Sequence, residues 1–115
     1  MTREEHSYLL EQEADMQFVN MIRTLADAVD ERCFIYGKLR HVDTDLLNKC
    51  IQLIKIYNHI ETSRELTQAL NLSFVTIKRM IQPNDTNTVN RKSVDKVISY
   101  MRKTADEIER NYQKT

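Results

Sequence analysis

One glycine, Gly37, and one proline, Pro83, are the only strong turn residues of their kind in a chain of 115 residues. Glycine takes left-handed backbone conformations without steric cost and proline ends helices, so a chain this poor in both lacks turn punctuation. Leu, Ile, Lys, Glu, Arg, Gln and Met are plentiful instead, and these favour helix. The expected fold is all-α: a single domain of about five helices, with long helices at both ends. A chain of this length buries roughly two-thirds of its unfolded surface, so it needs no metal or disulfide staple.

The two cysteines, Cys33 and Cys50, are far apart and belong to no CxxC or Cys/His pattern with metal-ligand spacing. They read as small buried hydrophobes in a reducing compartment. His6, His41 and His59 have no carboxylate at ligand spacing, so no metal, cofactor or His-based chemistry is expected. A single glycine cannot build a phosphate-cradling loop, and no Ser or Cys sits in a nucleophile elbow, so the chain is expected not to be an enzyme. No apolar run has the length of a membrane span, and the N-terminal residues Met1 to His6 lack a signal-peptide pattern. A cytoplasmic protein without membrane contact is the expectation.

Net charge is zero, but it is unevenly placed. Residues 1–61 carry seven Lys/Arg against eleven Asp/Glu, whereas residues 62–115 carry ten against six. Within residues 62–103 the count is eight to three. A local basic face matters more to phosphate binding than the whole-chain balance.

Apolar residues Leu10, Ala14, Phe18, Met21, Leu25 and Val29 recur at spacings of three or four, with Ile22 and Ala26 broadening the stripe, predicting a first helix from about Arg3 to Tyr36, with a break near Asp30–Arg32. Gly37 is expected to end it, and the short basic connection Lys38-Leu39-Arg40-His41 follows. Asp43 or Thr44 can cap a second helix reaching about Ile60, whose Leu46, Leu47, Cys50, Ile51, Leu53, Ile54, Tyr57 and Ile60 mark it as the centre of the core. Thr62 or Ser63 caps a short third helix, Asn71 takes the left-handed turn after it, and Ser73 caps a short fourth helix from Phe74. Leu66, Leu70, Leu72, Ile77 and Met80 would lock these two together. The polar stretch from Pro83 to Thr88 reads as a loop, and Asn90 caps a last helix from Arg91 to about Gln113. The organisation expected is a helix in residues 1–42 serving dimerisation or partner binding, and a helix-turn-helix unit with its C-terminal helix in residues 43–115.

The run Glu65-Leu66-Thr67-Gln68-Ala69-Leu70, Asn71, Leu72, Ser73, Phe74-Val75-Thr76, Ile77, Lys78-Arg79 resembles the helix-turn-helix of the lambda-repressor/Cro-like and lac-repressor-like bacterial regulators. Thr88-Val89-Asn90-Arg91-Lys92-Ser93-Val94-Asp95-Lys96-Val97 resembles the capped helix that follows the recognition helix in the lac-repressor-like group. The likeness covers about residues 46–103 and does not extend over residues 1–42. Asn71 stands where the pattern has Gly and Thr67 where it has Ala; both are tolerable, since Asn eases positive φ and Thr is only slightly larger.

The resemblance implies that the fourth helix enters the major groove of double-stranded DNA while the third crosses the backbone. Base contacts would come from Phe74, Val75, Lys78 and Arg79, with Arg79 suited to guanine O6 and N7 through its guanidinium fork. Phe74 and Val75 would touch thymine methyl groups, or else be buried by another helix of the chain or of a partner. Phosphate contacts would come from Thr62, Ser63, Arg64, Gln68, Ser73, Thr76, Lys78, Arg91 and Lys92, through hydroxyl, amide and charged groups.

In the last helix Ile98, Met101, Ala105, Ile108 and Tyr112, after Val94, alternate by four and three. They form either the seam of a homodimer, which the resemblance favours, or the inner face of a helix packed on the first. The function expected is sequence-specific transcriptional regulation, repression of a small palindromic operator above all, of the kind carried by phages, plasmids and other mobile elements. The alternative is a helical protein-interaction module, antitoxin-like or binding a host protein, in which Phe74 and Val75 form a protein contact.

Overall fold

The computed structural model describes residues 1–83 and 89–113. Helix α1, Arg3–Cys33, starts with a reciprocal cap. Thr2 Oγ1 accepts from the Glu5 N–H at 3.1 Å, and Glu5 Oε2 accepts from the Thr2 N–H at 3.4 Å. Both satisfy donors that a helix start leaves without an internal acceptor. The helix runs unbroken through Asp30–Arg32 and, at about 1.5 Å per residue, is roughly 46 Å long. It accounts for most of the molecule's 55 Å long axis.

The helix ends before Tyr36 because the chain turns into a hairpin. Strand β1, Phe34–Ile35, pairs antiparallel with β2, Lys38–Leu39, placing Phe34 opposite Leu39 and Ile35 opposite Lys38. Tyr36 and Gly37 form the turn with φ of 51° and 75°. Gly37 therefore supplies its positive φ to a hairpin and not to a helix stop, and part of the expected connection is strand. Two-residue strands are too short to show alternation in a sequence.

Helix α2, Thr44–Tyr57, is capped by Asp43, whose carboxylate accepts from the Leu46 N–H at 3.0 Å. Leu46, Leu47, Cys50, Ile51 and Ile54 are buried, which makes α2 the central element. It stops three residues short of Ile60, where Asn58 closes it: the Asn58 side-chain amide donates to Ile54 O at 2.8 Å and to Thr104 Oγ1 at 3.0 Å. Ile60 is buried after the turn. Helices α3, Ser63–Leu70, and α4, Phe74–Ile81, follow, and then α5, Arg91–Gln113. Asn90 Oδ1 accepts from the Ser93 N–H at 3.0 Å and so caps α5 as its sequence predicts. The polar stretch expected between α4 and α5 falls at residues 84–88, outside the described residues.

α1 and α5 pack antiparallel along much of their length. Phe18, Val19, Ile22, Ala26, Val29 and Cys33 of α1 and Val94, Val97, Ile98, Met101 and Ala105 of α5 belong to one buried cluster that also takes in α2, α3 and α4. Segments 1–42 and 43–115 thus share a core. Arg23 bridges Asp106 at 2.8 Å and Glu109 at 2.9 Å, Arg102 reaches Asp27 at 3.0 Å, and the Tyr112 hydroxyl donates to Asp15. Such part-exposed pairs are each worth about 0–1 kcal/mol and serve mainly to fix register.

This packing corrects the expected dimer seam. Ile98, Met101 and Ala105 lie inside the monomer's own core, at 4%, 0% and 0% exposure. Ile108 is half-buried against the same core, and Tyr112 is occupied by Asp15 and rests near the Tyr8 ring. The heptad pattern records the contact of α5 with α1, because a helix packed on a neighbour shows the same three-four spacing whichever chain the neighbour belongs to. On α1, Phe18, Ile22, Ala26 and Val29 are buried as the expected stripe has them, but Leu10 and Met21 are exposed, and Val19 and Cys33 point inward in addition.

Burial raises the thiol pKa of both cysteines, that of Cys50 to about 11. A thiol whose folded pKa lies above its unfolded value keeps its proton in the fold while the unfolded chain loses it. Stability should therefore be fully present below about pH 9 and fall between about pH 9 and 11, by about 1.4 kcal/mol per pH unit from Cys50 alone. Urea titrations across that range check this, and Cys50→Ala should remove the Cys50 share of the slope and leave that of Cys33.

Candidate nucleic-acid interface

The two short helices α3 and α4 owe their existence to their caps. Thr62 Oγ1 accepts from the Glu65 N–H at 3.1 Å and the Glu65 carboxylate accepts from the Glu61 N–H at 3.3 Å, which starts α3. Asn71 ends it in the left-handed conformation, φ 52° and ψ 48°, the role its sequence position predicts. Ser73 Oγ then accepts from the Thr76 N–H at 3.1 Å and starts α4 only a few residues later. Eight-residue helices are too short to persist alone, so packing must hold them.

That packing comes from Leu66 and Leu70 of α3 and Ile77 and Met80 of α4, all buried, with Leu72 half-buried between them. The turn is also tied to α5, since Lys96 Nζ donates to Asn71 O at 2.8 Å. With Ile77 and Met80 inward, the helical repeat leaves Phe74, Val75 and Lys78 outward. Phe74 is 51% and Val75 52% exposed, and among the described residues no helix covers them. Lys78 Nζ stands 5.8 Å from the centre of the Phe74 ring, a cation–π contact worth about 0.5–1 kcal/mol at an exposed site. Arg79 is half-buried on the flank of this face and engaged within the chain, so it presents less of itself outward than Lys78 does.

The expected phosphate-contact residues fall into three groups. Ser63, Arg64 and Gln68 are exposed along α3. Thr62 and Ser73 use their oxygens as cap acceptors, and the Ser73 and Thr76 hydroxyls bond one another at 2.8 Å, so each cap acts on an outside anion only through a remaining O–H. Arg91 and Lys92 are exposed on the first turn of α5, with Arg91 3.4 Å from Asp95.

A cleft between α2, α3 and α4 is lined by Gln52, Lys55, Ser63, Phe74, Lys78 and Gln82 among others. The start of α3 and the outer face of α4 therefore open onto one surface, with a second cation, Lys55, on its rim. Lys55 and Gln52 escaped the sequence reading because the apolar stripe of α2 marks it as a core helix. Their three-residue spacing on its polar side is the signal that could have found them.

Compared with protein-family models, curated proteins and solved structures, the chain matches none. Its chemistry has to be read from the fold itself. Among the described residues, no His, Cys, Asp and Glu group is placed to hold a metal ion, and every buried side-chain polar atom has a hydrogen-bond partner. Among the described helices none is long and apolar enough to cross a membrane.

Proposed function

We propose that the protein binds double-stranded DNA in a sequence-specific manner and regulates transcription in the cytoplasm, with α4 lying in the major groove. One observation carries this reading: among the described residues the outer face of α4 is left exposed at Phe74 and Val75 while its inner face is locked in the core. In this reading the exposed Phe74 and Val75 meet thymine methyl groups and Lys78 meets an acceptor on a base or a phosphate. Arg79 supplies a guanidinium beside them, and Ser63, Arg64, Gln68, Arg91 and Lys92 supply groups for the backbone. The likeness of residues 63–81 to the lambda-repressor/Cro-like pattern points the same way. A homodimer is part of the proposal, because one short helix reads only a few base pairs. Its seam lies elsewhere than on Ile98, Met101 and Ala105, which the monomer's core already occupies.

The test is a fluorescence-anisotropy titration of the full chain against duplexes recovered from a random pool, at 50 and 200 mM salt. Neutralising six or more phosphates releases as many counterions, so affinity should fall on the order of 1,000-fold between those concentrations. No detectable binding at 50 mM would assign the exposed Phe74 and Val75 to a protein partner instead.

A further inference from the structure

The hairpin between α1 and α2 packs Phe34 and Leu39 against the core, but its tip is built in an unfavourable way. Tyr36 holds φ 51°, a conformation that Gly and Asn adopt readily and that a bulky side chain resists. Its exposure is 100%, so packing does not compensate for the strain. Asn-Gly would make the same two-residue turn more easily. The backbone of Tyr36 closes the hairpin, but its ring adds no packing, and a bulky side chain kept at a strained position is a pattern found where a side chain is held out for a contact.

The surroundings define that contact. Lys38, Arg40 and His41 are exposed beside Tyr36, and residues 34–42 contain two Lys/Arg and no Asp/Glu; the flanking carboxylates Asp30, Glu31 and Asp43 lie at the base of the hairpin, where Asp43 is engaged by Arg32 and by the cap of α2. Arg40 N–H and His41 N–H both donate to Cys33 O, at 2.8 and 3.3 Å, so the hairpin is fixed to the end of α1. The antiparallel pairs Asp15–Tyr112, Arg23–Asp106 and Asp27–Arg102 carry α1 toward the end of the bundle where α5 begins. Arg91 and Lys92 are exposed at that end, and Lys96 holds the turn between α3 and α4 near it.

Resting on the reading of α4 as the groove element, the geometry points to the hairpin tip as a second contact with the same duplex. Lys38 and Arg40 engage phosphates, and the Tyr36 ring lies against sugar and base edges in a neighbouring stretch of groove. A two-stranded ribbon is narrow enough to enter a groove, and a cationic tip without carboxylates suits a polyanion.

Two variants test it on a duplex selected by the full chain. Tyr36→Asn should melt at or above the temperature of the unaltered protein, since Asn relieves the turn, yet bind about fivefold or more weakly. Lys38→Ala with Arg40→Ala should weaken binding about tenfold or more at 0.1 M salt and lower the salt slope by about two. If both variants bind with unchanged affinity and slope, the hairpin contact is overturned while the reading of α4 stands. If the unaltered protein binds no duplex, both fall together.

Discussion

Met101→Ala should lower the unfolding free energy by about 2–5 kcal/mol while leaving the concentration dependence of the midpoint as it is in the unaltered protein. Met101 has no exposed surface and sits where α5 meets the shared core, so truncation removes buried methylenes and the sulfur and leaves a cavity that neighbouring helices fill only in part. A residue on a dimer seam behaves differently: its loss weakens association, and the midpoint shifts with concentration. Urea unfolding at two concentrations tenfold or more apart separates the cases. Ile108→Ala, at a half-buried site near the end of the same stripe, should have a smaller effect. A concentration-dependent midpoint for the unaltered protein that Met101→Ala abolishes, leaving a stable monomer, would restore the seam and remove the intramolecular account.

What was legible in the sequence was mostly local. Asp43, Thr62, Asn71, Ser73 and Asn90 sit where the structure uses them, because a cap depends on one short polar side chain and the N–H groups within three residues of it. The starts of α3, α4 and α5 and the end of α3 follow from those residues. Phe74 and Val75 could be placed outward by the same repeat that turns Ile77 and Met80 inward. The partner of each apolar stripe was not legible. Ile98, Met101 and Ala105 show the right spacing for a helix neighbour, but nothing in that spacing distinguishes α1 from a second copy of α5. Leu10 and Met21 lie one step around α1 from the residues that are buried, and periodicity fixes the period of a stripe better than its centre. Lys55 was hidden for a related reason, since its place beside Lys78 is set by how α4 crosses α2 and not by its own neighbours in the chain.

The outer face of α4 can be tested without disturbing its inner face. Val75→Glu should abolish detectable duplex binding, a loss of at least about 100-fold, while leaving helical content and melting temperature close to those of the unaltered protein. Val75 is half exposed and occupies the first turn of α4 after the Ser73 cap. Glu is the better helix former there, and a negative charge near a helix N-terminus is favourable, so the fold has no reason to weaken. Inside a groove the same carboxylate faces phosphates across a short distance with little water between, and like-charge juxtaposition at an interface is worth several kcal/mol against binding. Lys78→Ala, removing one cation from the same face, should weaken binding more mildly and reduce the salt slope by about one. Anisotropy at 50 and 200 mM salt, with circular dichroism of each variant, reads both. Binding of Val75→Glu at the unaltered affinity would mean that the duplex never approaches α4, and the groove assignment would then have to be abandoned.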